Sequence, residues 1–193
     1  MRRISLVVIL GMVLVWTGAA LAGQPDWIWG EVRGEYAFTS TSDCVSSTLG
    51  FDENFTPLAG SVVGTMSSFA RGVQVFRRDG TGTVTATALG VNSPPRAGAS
   101  SSTFSQNFTY TVGRDGTITT VSEPYKATFD SGPNAGKTVT VAPWPGATGR
   151  ISADGKTMAL AIQTPPVVET VTLNGLTSYI VCGRSSVLIR INE

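Results

Sequence analysis

The chain of 193 residues contains no histidine, two cysteines and only 14% charged residues. Histidine is the commonest metal ligand and the usual general base near neutral pH, so its absence excludes Ser-His-Asp and Cys-His triads and histidine zinc sites. The formal net charge is +1 and both signs are sparse, so no electrostatic footprint for nucleic acid is present. No calcium loop is visible either. We therefore predict no metal, no cofactor and no nucleic-acid partner.

The first 22 residues have the three regions of a secretory signal peptide. Met1-Arg2-Arg3 is positively charged, Ile4 to Trp16 is a short apolar run, and Ala20-Leu21-Ala22 has the small-x-small pattern read by signal peptidase. The apolar run is shorter than the roughly 20 residues of a membrane span, and an uncleaved anchor is the alternative. We predict cleavage before Gly23, a single domain over 23–193 without a membrane span, and export to the periplasm or the outside of a bacterium.

The remaining chain is rich in hydroxyl side chains and poor in lysine. Residues 23–193 contain 24 threonines and 18 serines but only three lysines, and 12 basic residues stand against 13 acidic ones. Threonine favours strands more than helices, so this composition is typical of β-sheets with polar outer faces.

Period-two alternation of apolar and polar residues runs through most of the chain, most clearly over 103–112. Asp-Gly or Asn-Gly pairs, which suit tight hairpins, separate the alternating runs at 79–80, 115–116, 154–155 and 174–175. We predict an all-β fold in which an antiparallel up-and-down meander of about eight to ten strands closes into a barrel. The expected strands are 34–41, 68–78, 82–91, 103–113, 116–122, 125–130, 137–142, 147–152, 157–163, 168–173 and 176–191, the last with a break near Gly183.

Cys44 and Cys182 are an even pair in a chain predicted to reach an oxidising compartment, so we predict that they form a disulfide. The bond would tie the first strand region to the last, which favours a closed barrel over a sandwich. A redox role is the weaker interpretation, because the two cysteines do not form a CxxC motif.

Two segments lack strand character, Asp43 to Ser67 and Asn92 to Ser102. Loops of this length in a compact domain are usually functional lids or disordered segments. The first contains Phe51 and Phe55, which would either close over a cavity or anchor the loop to the core.

Gly34-Glu35-Tyr36 at the start of the first strand, the long loop that follows and the barrel-like meander resemble the lipocalin or calycin pattern. In this resemblance Tyr36 takes the place of the lipocalin tryptophan, and Arg184 or Arg190 matches the arginine that packs across it. The middle Thr-Asp-Tyr turn motif and the C-terminal helix of lipocalins are missing. The pattern is closest to exported bacterial proteins with a calycin-like barrel, from which no functional residue carries over.

Three polar residues interrupt apolar stripes: Arg71, Gln106 and Glu169. If the stripes face the barrel interior, Arg71 and Glu169 would pair there, because a buried charge needs a partner. The same three residues could orient the polar group of a ligand in an apolar pocket. The alternative is that each lies near a strand end or a bulge and points to water. Aromatic residues predicted to line the cavity are Phe104, Phe108, Tyr110 and Tyr125.

These features lead to three hypotheses for function. The first is a binding protein that holds a small apolar or amphipathic ligand in the barrel. The second is a non-catalytic envelope protein whose barrel is filled and whose outer face, or an arm containing Trp27 and Trp29, contacts a partner. The third, ranked last, is a cofactor-free cyclase or isomerase that uses Glu169 or Glu35 as an enclosed carboxylate.

Overall fold

The structure, a computed structural model, describes residues 32–93, 98–143, 145–162 and 166–192. The predicted signal peptide, its cleavage site and the Trp27–Trp29 arm lie outside the described residues. Within the described ranges the secondary structure is β-strand without helix, as the alternation predicts. The eleven strands are β1 (Gly34–Ser47), β2 (Val63–Phe76), β3 (Thr81–Asn92), β4 (Gly98–Val112), β5 (Thr117–Ser122), β6 (Tyr125–Phe129), β7 (Thr138–Val141), β8 (Ala147–Ile151), β9 (Thr157–Ile162), β10 (Val168–Leu173) and β11 (Leu176–Asn192).

The strands form one antiparallel sheet that closes on itself into a ring of eight strand positions. β1 pairs with β2 on one side and with β11 on the other, so the first and last strands are neighbours. β5 and β6 both pair with β4, and β9 and β10 both pair with β11. Each of the pairs β5/β6, β8/β7 and β9/β10 therefore occupies a single position of the ring. Counted in this way, neighbouring positions follow one another in chain order, as in a simple meander.

Prolines accompany the interruptions within these three positions. Pro124 separates β5 from β6, Pro143 and Pro145 lie between β7 and β8, and Pro166 precedes β10. Proline has no amide hydrogen to donate to the ladder, so pairing stops where it stands. At the first interruption the partner of Phe108 is Ser122 and the partner of Ser105 is Lys126. The segment from β5 to β6 therefore has one more residue than the stretch of β4 that it faces. This bulge moves the inward-facing residues from even numbers in β5 to odd numbers in β6.

The two ends of the ring differ in their connections. At one end, called the hairpin end, tight turns join β2 to β3, β4 to β5 and β8 to β9. In each turn an aspartate accepts backbone hydrogen bonds, as Asp79 does from the amide of Thr81 at 3.0 Å and Asp115 from that of Thr117 at 3.1 Å. Hydrogen bonds from these threonines, side-chain bonds first, lower the pKa of both carboxyls. These aspartates serve the turns, as their Asp-Gly context predicts.

At the opposite end, called the loop end, the β1–β2 and β6–β7 connections are longer, and a two-residue turn at Asn174-Gly175 joins β10 to β11. The first predicted loop is shorter than expected, because β1 continues to Ser47 and β2 begins at Val63. The second is also shorter, since β4 begins at Gly98. Polar side chains of the first segment bond across strands, as the hydroxyl of Ser67 does by donating to Asp43 at 2.6 Å, and so extend the sheet without an apolar pattern.

The predicted disulfide is present: Cys44 and Cys182 lie directly opposite each other on β1 and β11, with Cα atoms 4.1 Å apart. Both cysteines are buried and face the interior of the ring. A buried disulfide is consistent with a periplasmic or extracellular protein. Among the described residues there is no helix with the length and apolar character needed to span a membrane.

The disulfide closes a sequence separation of 138 residues. In the chain-entropy model a loop of this length lowers the free energy of folding by about 5 kcal/mol. We expect the C44A/C182A variant to lose about this much free energy of unfolding in urea titrations. Reductant should destabilise the wild-type protein similarly and leave the variant unchanged. A wild-type protein insensitive to reductant would contradict the disulfide.

Candidate functional site

The interior of the ring is divided into two halves by the size of its side chains. In the half near the hairpin end, every position of the ring contributes at least one large, apolar and buried inward residue. In the half near the loop end, many inward positions carry serine and most inward residues are only half-buried. The first half is therefore a packed core, and the second is the part of the interior with accessible surface.

Aromatic rings fill the hairpin-end half. The ring of Phe76 makes edge-to-face contacts with those of Tyr36, Phe108 and Tyr110, at centroid distances of 5.3, 5.2 and 5.1 Å. Glycine makes room for them, since a Cβ at Gly82 would overlap the Phe108 ring. The hydroxyl of Tyr110 lies 2.7 Å from the carbonyl oxygen of Val32 and 2.6 Å from that of Arg77, which places Val32 across this end. The half is closed.

The resemblance to lipocalins predicts that an arginine of the last strand packs across Tyr36, and Arg190 does so. Its guanidinium carbon lies 5.3 Å from the centre of the Tyr36 ring, and its Nε donates to the Tyr36 hydroxyl at 3.0 Å. That hydroxyl in turn donates to the carbonyl oxygen of Gly155 at 2.8 Å. The contact ties β11 and the β8–β9 turn to the start of β1.

The loop-end half has small hydroxyl side chains where the other half has aromatic ones. Four serines in the middle of their strands point inward and yet are only half-buried: Ser40, Ser42, Ser68 and Ser186. A serine is too small to reach across a ring of eight strands, so these positions leave space between opposite walls. The inner face of this half is therefore lined by small hydroxyl groups rather than by aromatic rings.

A buried ion pair lies on the wall of this half. Glu169 of β10 is 2% exposed, and its carboxylate meets the guanidinium of Arg184 of β11 in a two-pronged contact. The distances are 2.6 Å from Nη1 to Oε1 and 2.9 Å from Nη2 to Oε2. The side chain of Arg184 is 23% exposed, so the carboxylate lies behind it and holds the guanidinium in place. Nη2 also lies 3.4 Å from Sγ of Cys182.

Aromatic and amide groups adjoin the pair. The rings of Phe104 and Tyr125 pack at a centroid distance of 5.3 Å, and both residues face inward and are half-buried. Burial raises the pKa of Tyr125, with a smaller opposing effect from Arg184. Gln106 is buried beside them, and its amide nitrogen lies 3.5 Å from the carbonyl oxygen of Glu123 at the β5–β6 bulge.

The loop between β1 and β2 forms a lip at the opening of this half. Asp52 accepts hydrogen bonds from the amides of Asn54 and Thr56 at 2.9 and 2.8 Å. The hydroxyl of Ser47 donates to the carbonyl oxygen of Gly50 at 2.6 Å. Phe51 and Phe55, predicted to close over a cavity or anchor the loop, are half-buried within it.

The structure brings together four of the predicted site residues and separates the other three. Phe104, Gln106, Tyr125 and Glu169 all face the loop-end half. Phe108 and Tyr110 also face inward, but they are 4% and 2% exposed and belong to the aromatic core. The prediction that Phe108 and Tyr110 line a ligand cavity is corrected here, because their rings pack against Phe76 and fill the interior.

Of the two orientations considered for Arg71, the structure shows the one in which the side chain points to water. In β2 the inward residues are the even-numbered ones, which apart from Met66 and Phe76 are small or polar. The stripe containing Phe69 and Arg71 is exposed on the outer face. The apolar residues of that stripe suggested that it faces inward. It faces outward, because the inner side of β2 near Gly72 has no room for larger side chains. A Cβ at Gly72 would overlap the carbonyl oxygen of Thr85. Arg184, not Arg71, is the partner of Glu169.

Sequence reasoning considered Arg184 only as a possible match to the lipocalin arginine and missed its pairing with Glu169. A signal was available, because the predicted disulfide requires Cys182 to face inward. Alternation from Cys182 then places Arg184, Ser186 and Leu188 on the same inner face. The serines were missed because hydroxyl residues in strands were assigned to the outer face.

Comparisons with known proteins add little to this geometry. No protein-family model matches the chain, and no curated protein sequence matches it. Among solved structures, an S-type phycobiliprotein lyase from Guillardia theta matches with a TM-score of 0.27 and 7% identity, over 86% of this chain and 91% of that one. This similarity is too low to support an argument about function. Within the described ranges, no three metal-ligating side chains group together.

The buried pair gives a test by double substitution. Removing one partner of such a pair leaves an unpaired buried charge and typically costs 3–5 kcal/mol. We expect R184L to lower the free energy of unfolding by about 3–5 kcal/mol in urea titrations. The double variant E169L/R184L should recover most of this loss, because neither charge remains. A double variant as unstable as R184L would contradict the pairing.

Tyr110 gives a test by pH. Burial raises the pKa of its phenol to about 12, whereas the ordinary value is 10.0. The unfolded chain therefore releases this proton before the folded chain does, and the stability it confers is present below pH 10 and lost as the pH rises toward 12. We expect the free energy of unfolding to fall across this range, and to fall less steeply in Y110F. Parallel curves for the two proteins would contradict the assignment.

Proposed function

We propose that the ring of strands is an exported, lipocalin-like β-barrel that binds a small apolar or amphipathic ligand in its loop-end half. The observation that carries this proposal is the contrast between the two halves of the interior. Aromatic side chains fill one half, whereas serines and an accessible arginine line the other. Filling both halves would have stabilised the fold further, so the unfilled half is best explained by a use.

The side chains of this half suit a ligand with two kinds of surface. Met66, Phe104, Tyr125 and Phe129 offer apolar contact, and the serines and Arg184 offer hydrogen bonds. Small-molecule sites usually combine a mostly apolar wall with a few polar groups held in fixed positions. Glu169 behind Arg184 supplies that positioning, because its carboxylate restrains the guanidinium.

The second candidate, a non-catalytic envelope protein with a filled barrel, is favoured by one observation, the packed hairpin-end half. It differs from the first in predicting no ligand. The enzyme hypothesis gains no support: both oxygens of Glu169 contact Arg184, and Glu35 accepts a hydrogen bond from Asn192 at 2.7 Å.

Two substitutions on one strand test the proposal. Ser102 faces inward in the loop-end half, and Thr109 faces outward on the same strand and is exposed. We expect S102F to abolish binding of the apolar fluorescent dye anilinonaphthalene sulfonate, because the new ring occupies the proposed space. T109F should bind the dye as the wild-type protein does. Dye fluorescence measures binding, and thermal melts check that both variants fold.

Native mass spectrometry of the protein purified from its own host gives the second measurement. We expect a small molecule to co-purify with the wild-type protein and with T109F but not with S102F. If neither a co-purifying molecule nor dye binding is found in the folded wild-type protein, the filled-barrel alternative replaces the proposal.

A further inference from the structure

The outer face of the ring has a second concave region, across β2, β3, β4 and β6. It is a shallow groove of about 450 Å³ that is largely open to solvent. Its floor includes Gly72, Ala86 and Phe104, whose backbones form the wall between groove and interior. The groove is therefore separate from the loop-end half of the interior.

Strand register places the side chains of the groove in two neighbouring rows. In the first, Arg71 lies opposite Thr87, which lies opposite Thr103; in the second, Thr85 lies opposite Ser105, which lies opposite Lys126. Adjacent strands are about 4.8 Å apart, so β2 and β6 are separated by about 14 Å, and the rows are about 7 Å apart. The two cations thus stand at diagonal corners, with hydroxyl groups between them.

The polar groups of the groove are free to bind a ligand. Among the described residues, Arg71 and Lys126 have no ion-pair or hydrogen-bond partner, and the hydroxyls of Thr85, Thr87 and Ser105 have none either. No carboxylate lines the groove. Asp130 stands at its β6 edge, where it accepts a hydrogen bond from Thr103 at 3.3 Å. An anionic group is therefore attracted most strongly to the opposite side, near Arg71.

We propose that this groove binds an anionic carbohydrate, with its sulfate, phosphate or carboxylate group on Arg71 and its hydroxyls on the threonine and serine rows. Arginine donates paired hydrogen bonds to such anions, and side-chain hydroxyls both donate to and accept from sugar hydroxyls. The site is independent of the ligand proposed for the interior.

An NMR titration with a sulfated disaccharide tests the site. We expect amide shifts concentrated at Thr85, Thr87 and Ser105, with weaker binding at higher ionic strength. R71Q should weaken binding about tenfold, because it removes a charge-assisted hydrogen-bond pair. K126Q should weaken it about threefold, as for an exposed charge. K156Q is the matched control, since Lys156 is exposed in the β8–β9 turn at the hairpin end, and it should bind like the wild-type protein.

Two further probes separate the parts of the proposal. The same disaccharide without sulfate should bind at least about tenfold more weakly, and inorganic sulfate alone should bind more weakly than the sulfated sugar. Equal binding of the neutral sugar would overturn the anionic class, and equal binding of sulfate would overturn the carbohydrate. Shifts elsewhere, no shifts, or an equal loss in K156Q would overturn the site.

Discussion

The pairing of β1 with β11 is the interaction on which the rest of the structure depends. An open antiparallel sheet leaves two edges with unpaired amides and carbonyls, which invite aggregation. Here the long first and last strands pair from Glu35 opposite Asn192 to Ser47 opposite Tyr179, and the disulfide fixes two opposite residues of that ladder. Closure defines an inside and an outside, and every assignment of a side chain to core, interior space or surface follows from it.

Closure also explains why the interior has two halves. Tight turns at the hairpin end bring the strands together around Phe76, and aromatic rings meet there across the ring. Toward the loop end the same strands carry serine on the inner face, and the wall is interrupted beside prolines at three neighbouring positions. The ion pair of Glu169 with Arg184 lies where β9 gives way to β10, and it supplies side-chain contacts between two strands where the backbone ladder is broken.

Much of the fold could be predicted from the sequence, and the errors have a common physical cause. Alternation and the Asp-Gly turns identified all eleven strand segments, and the cysteine pair indicated which strands are neighbours. The break expected near Gly183 is absent, because Gly183 pairs with Asp43 within a continuous β11. The inward orientation of Arg71, which the structure does not show, was considered because Phe69, Val73 and Val75 form the more apolar stripe of β2 although they face outward. Hydrophobicity identifies the inner face only where the interior is filled by apolar side chains. In β2 the wall at Gly72 is too crowded for them, and further along the space is lined by serine.

The sequence by itself determined the antiparallel meander, the turns and the disulfide, because each depends on local backbone geometry or on a distinctive residue. The contact of an arginine with Tyr36 was implied only by the resemblance to lipocalins. Only the tertiary structure decided which half of the interior is filled, which arginine pairs with Glu169 and where the two cations of the outer groove lie. Those properties depend on the stagger of strands around a closed ring and on the one-residue bulge at Pro124, neither of which leaves a signal in the alternation of a single strand.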